Sequence, residues 1–93
     1  MHVHRTLEMS LSRDEFFRLL PAAVGPFVTA GDVIRPSDGH RRWAIHLIPL
    51  ADHRIGSVVV PHHRVGIVLE GCSQAGAEAF MERFRRAFLR GGG

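Results

Sequence analysis

The chain has 93 residues, 45% of them hydrophobic and 23% charged, which is enough for one globular domain with a single modest core. All 12 basic side chains are arginine, the net charge is only +3, and lysine, asparagine and tyrosine are absent. A lysine Schiff base, a lysine phosphate grip and a tyrosine acid are therefore excluded. The skew towards arginine, glycine and alanine is that of GC-rich coding and points to a bacterial source. Cys72 is the lone cysteine, which rules out an internal disulfide and a cysteine-built zinc site. No basic start is followed by an apolar run, and no segment approaches the roughly 20 apolar residues of a membrane span. A cytoplasmic protein is the expectation.

In chain order, His2 to Ser10 alternates, with Val3, Leu7 and Met9 on one face beside Arg5, and His2, His4, Thr6 and Glu8 on the other. Ser12 begins a helix with a capping box: its hydroxyl can accept from the Glu15 N–H, and the Glu15 carboxylate can reach back. Leu11 is placed to staple onto Phe16, and Phe16, Leu19, Leu20 and Ala23 form the apolar stripe. Pro21 is expected to end this helix or to begin another turn. Phe27 to Ile34 reads as a strand interrupted by Gly31, and Arg35-Pro36-Ser37-Asp38-Gly39 as a turn.

Arg41 to Ile48 alternates again, with Trp43, Ile45 and Leu47 on one side and Arg42, Ala44, His46 and Ile48 on the other. Turn-forming residues at Ala51-Asp52-His53 and Pro61-His62-His63 then delimit two valine- and isoleucine-rich strands, Arg54–Val60 and Arg64–Glu70. Ser73 is placed to cap a last helix, in which Ala77, Phe80, Met81, Phe84 and Phe88 recur at helical spacing. Arginines crowd its C-terminal end and Gly91 is expected to stop it.

The expected fold is α+β: a two-layer β-α-β4-α domain over residues 1–90, an antiparallel sheet with two helices packed on one face, and a flexible glycine tail at 91–93. The element order resembles that of helix-grip and TATA-binding-protein-like folds, which implies topology alone. The terminal glycines resemble the ends of ubiquitin-like modifiers and sulfur-carrier proteins. Those tails extend from a strand, however, whereas this one follows a helix, so it reads as a cap and a frayed end.

Seven histidines raise the question of a metal. His2 and His4 share a strand face and are the candidate ligands, but neither a carboxylate nor a cysteine joins them at ligand spacing, so no metal or other cofactor is expected. No catalytic residues are assigned, because paired carboxylates, a Gly-rich phosphate loop and a serine or cysteine beside a base are all missing from the pattern; Cys72 reads as a packed residue at a strand-to-helix junction. Nucleic acid is not the expected partner, since the face away from the helices carries no aromatic platform for bases. That face instead combines Arg42, His46 and Ile48 with hairpin valines, Val58 among them, and an apolar patch of this kind marks association. The reading is a non-catalytic binding domain, acting as a homodimer or on a larger protein partner; a small-ligand or metal-binding domain using the sheet's histidines and arginine is the alternative, and nucleic-acid binding comes third.

Overall fold

The computed structural model describes residues 2–39 and 42–92. Along the chain these form β1 (His2–Met9), α1 (Arg13–Val24), β2 (Phe27–Ala30), β3 (Val33–Pro36), β4 (Trp43–Ile55), β5 (Val58–Glu70) and α2 (Gln74–Gly92). Arg41 and Gly93, read from the sequence as strand and tail, lie outside the described residues. The five strands make one antiparallel sheet in the order β1-β5-β4-β3-β2. The chain thus leaves one edge through α1, re-enters at the other, and meanders back until β5 pairs with β1. The α+β class and the element order agree with the sequence.

In an antiparallel ladder, residues directly opposite share a face. Val3, Leu69 and Trp43 stand in one row, Arg5, Ile67, Ile45 and Ile34 in the next, and Leu7, Val65 and Leu47 in a third. These rows form the inward face. One buried cluster takes from the sheet only residues of this face and joins them to Phe16, Leu20 and Ala23 of α1 and to Ala77, Met81, Phe84 and Phe88 of α2. Ring contacts run through this core, with centroids 4.7 Å apart for Phe84 and Phe88 within α2, 5.1 Å for Phe16 and Phe88 between the helices, and 6.5 Å for Trp43 and Phe80 between sheet and helix.

The capping box is present. The Glu15 backbone N–H donates to Ser12 Oγ at 3.2 Å, and the Ser12 N–H donates to Glu15 Oε1 at 3.5 Å. Leu11 packs against the core beside it. Ser73 caps α2 by accepting from the Gly76 N–H at 3.1 Å.

Besides Arg35 and Pro36, read as part of a turn but lying in β3, four boundaries differ from the sequence reading. Pro21 sits inside α1 and is exposed, while Leu20 and Ala23 on either side of it are buried. The apolar stripe carries the helix through the proline. The segment read as one strand from Phe27 to Ile34 is a hairpin, because Gly31 adopts a left-handed φ of 62° and reverses the chain. α2 continues past Gly91, the glycine expected to stop it; a glycine costs about 1 kcal/mol in a helix, which does not by itself terminate a long one.

The fourth difference matters most. The segments around residues 51–53 and 61–63 are not turns; β4 and β5 run through them, and the chain reverses at Gly56-Ser57. Gly56 has φ 63° and Ser57 has no positive φ, the pattern of a type II′ hairpin turn. Between Leu50 and His53 the register shifts, so that Ala51 and Asp52 oppose Pro61 in a β-bulge. Pro61 is thereby outside the ladder and forfeits no hydrogen bond there.

Two substitutions test this packing. Ser12→Ala is expected to lower the unfolding free energy in urea by about 1 kcal/mol, the usual cost of losing an N-cap. Phe84→Ala, in the fully buried centre of α2, is expected to cost about 3–5 kcal/mol by the same measurement, enough to leave so small a domain largely unfolded.

Candidate functional site

The register that turns Trp43, Ile45 and Leu47 inward turns Ala44, His46 and Ile48 to the opposite, open face. There Ala44, Val68 and His4 stand in one row across β4, β5 and β1, His46, Gly66 and Thr6 in the next, and Ile48, Arg64 and Glu8 in a third, the β5 residue in the middle of each. Around Gly66 these side chains border a depression of about 320 Å³, lined by His4, Thr6, His46, Ile48, Arg64 and Val68 among others. The sequence placed His46 and Ile48 on this face, and they do share the depression. Ala44, expected to contribute to an exposed apolar patch, is only 8% exposed. Its methyl group is too short to stand clear of the longer side chains around it, which leaves Ile48, 44% exposed, as the main apolar contribution here.

Arg42 and Val58 lie elsewhere. Arg42 is four residues from His46 along β4, a displacement of about 13 Å. Its Nη2 is 3.1 Å from Asp38 Oδ2, and its carbonyl accepts the Glu70 N–H at 2.9 Å. It borders a separate cleft with Trp43, Cys72, Phe80 and Arg83. Val58 is at the far end of β5, about 20 Å from Arg64 at strand rise, and pairs with Ile55 next to the turn.

There the chain makes a projecting arm. The last pair between β1 and β5 is Met9 with His63, and the last between β3 and β4 is Val33 with His46. Beyond these, residues 50–62 form a two-stranded ribbon with no flanking strand among the described residues. Its tip exposes Ile55 at 70%, Val58 at 57% and Val59 at 47%.

A cluster that the sequence reading missed anchors the base of the arm. His62, its side chain only 12% exposed, has Nε2 at 3.8 Å from Glu8 Oε1 and Nδ1 at 3.4 Å from Ser10 Oγ. Its ring stacks on that of His53 at 4.2 Å, Glu8 Oε1 is also 3.9 Å from Arg64 Nη2, and His63 Nδ1 is 2.9 Å from the Leu11 carbonyl oxygen. Serine, histidine and carboxylate thus stand in a row. Both separations exceed the roughly 2.6–3.2 Å of a working nucleophile–base contact, and the imidazole is stacked on a second ring. The group is built as a clamp that ties the arm to β1. The strand period would have put His62 on the same face as Glu8, had Pro61-His62-His63 not been read as a turn.

The two metal candidates do lie on one face, but they point to different surroundings. His2 Nδ1 is 3.7 Å from Glu70 Oε1, while His4 borders the depression. Among the described residues, no three histidine, cysteine or acidic side chains gather in a way that could hold a metal ion. Cys72 is a half-buried free thiol. No helix among the described residues is long and apolar enough to cross a membrane. What the open side offers is recognition chemistry: hydrogen-bond donors around a glycine floor, and an apolar tip on a projecting ribbon. No known protein family, curated protein or solved structure matches the chain.

Proposed function

We propose that this domain is a non-catalytic binding module that associates through the β4–β5 arm and the adjoining open face, with a second copy of itself as the partner. The observation that carries this reading is the apolar tip of Ile55, Val58 and Val59, held in water on a ribbon without neighbours. A two-stranded ribbon is at best marginally stable on its own and gains from a third strand or a packed surface. Ile55 and Val58 stand side by side on one face of the ribbon, with Val59 on the other, and exposed apolar side chains gathered at one end of a small domain mark such a contact.

The arm is also self-complementary in charge. If two copies of β4 pair antiparallel about a two-fold axis at His53, Asp52 of each copy falls opposite Arg54 of the other. Neither residue forms an ion pair within the described chain. A contact of this kind is isologous and closes at a dimer. The other edges of the sheet suit association less well. β1 carries Arg5 on its inward face, a charge that opposes edge pairing, and β2 has only 4 residues.

Apolar surface covered in the contact would contribute about 25 cal/mol per Å², set against several kcal/mol for docking, and self-association is expected at micromolar concentrations. Sedimentation of the purified protein is expected to show a concentration-dependent dimer. Val58→Asp and Ile48→Asp should weaken it while circular dichroism stays unchanged. Arg54→Asp should weaken it too, and adding Asp52→Arg should restore it. A strict monomer at high concentration would remove the homodimer and leave a larger protein as the partner of the arm.

A further inference from the structure

Gly66 lies in the middle of β5 with strands on both sides, opposite Thr6 and His46. Glycine weakens the interior of a strand, so it calls for a reason. Backbone conformation does not supply one, because Gly66 is absent from the glycines with positive φ. Packing does not supply one either. A Cβ built at Gly66 would meet only His46 Cβ at 3.8 Å and the His46 carbonyl oxygen at 3.9 Å, both ordinary contacts. No ring folds over the position to take the place of the missing side chain. The fold itself would accept a larger residue, and what the glycine achieves is to keep the floor of the depression open.

The polar lining of that depression includes His4, Thr6, His46 and Arg64. His4, Thr6 and His46 make no side-chain hydrogen bond or ion pair within the described residues, and the nearest charge to the Arg64 guanidinium is Glu8 at 3.9 Å. Ile48 and Val68 add apolar surface beside these donors. Glu8 is the acidic group that faces the site, and it stands at the rim against Arg64. The volume of about 320 Å³ is at the small end of ligand sites. From this geometry we infer that the depression over Gly66 binds a small organic anion, a carboxylate on a short apolar body. The planar fork of Arg64 matches a carboxylate in two-point contact, Thr6 and the two imidazoles supply further donors, and the apolar body lies over Gly66 against Ile48 and Val68. The depression adjoins the arm and shares Ile48 with the proposed contact, so ligand binding is read separately from association.

Benzoate is the probe. Its titration is followed by amide chemical shifts in the wild type and in Val58→Asp, so that association through the arm does not move the readout. Benzyl alcohol serves as the neutral counterpart. Saturable shifts centred on Thr6, His46 and Gly66 are expected with benzoate and not with benzyl alcohol. Gly66→Val should melt no lower than the wild type and lose the saturable shifts. Arg64→Gln should raise the Kd by about tenfold or more, the effect of losing a charge-assisted hydrogen bond, and Glu8→Gln should lower it by freeing Arg64. Equal responses to benzoate and benzyl alcohol, or benzoate binding that survives Gly66→Val, would overturn the proposal. So would a Gly66→Val protein that is less stable than the wild type, since the fold would then account for the glycine.

Discussion

The pairing of β4 with β5 is the constraint on which the rest of the molecule depends. Three successive rungs, Trp43 with Leu69, Ile45 with Ile67 and Leu47 with Val65, present apolar side chains to the same side, and all six are buried. Each buried side chain of this size is worth roughly 1.5–3 kcal/mol, so the rungs hold the register firmly. A slip of β4 by one residue would move Trp43, Ile45 and Leu47 to the open face. The two strands occupy the middle of the sheet, and the phenylalanine stripes of α1 and α2 complete the core against them.

The same register determines what the other side offers. With Trp43, Ile45 and Leu47 inward, His46 and Ile48 are outward, and the matching positions of β5 bring Arg64, Gly66 and Val68 beside them. The arm follows from unequal lengths. β4 and β5 have 13 residues each, β3 has 4, and β1 ends at Met9, where Ser10 to Ser12 lead into the capping box. The ladder therefore outruns its neighbours. The bulge at Ala51 and Asp52 lies where the added twist that bulges bring meets no flanking strand. The clamp of Glu8, Ser10 and His62 fastens the ribbon at its base and leaves the tip uncovered.

Much of this was legible in the residues. Alternation identified the inward set of β4 and of β1, including Arg5, and the caps at Ser12 and Ser73 and the stripe of α2 followed from spacing alone. His46 and Ile48 were placed on the correct face by the same period. The reading failed where local turn chemistry competed with long-range pairing. Asp52-His53 and Pro61-His62-His63 have the composition of turns, but on a ribbon without flanking strands a proline or a bulge costs little. The true reversal, Gly56-Ser57, is a less conspicuous pair. Moving the turn carried Val58 from the patch around Ile48 to the arm tip and hid the approach of His62 to Glu8. Gly66 carried no signal of its own, since only the opposing register shows that nothing in the fold requires a glycine there.

The claim that the uncovered arm is the associating surface is tested most directly by amide hydrogen exchange followed against protein concentration. In dilute protein, the amides of residues 51–60 should exchange far faster than those of residues 65–69, because the ribbon lacks a third strand and the body of the sheet does not. As concentration rises, protection should appear in residues 51–60 while the body stays unchanged. Arm amides whose exchange is independent of concentration, whether slow throughout or fast throughout, would contradict it.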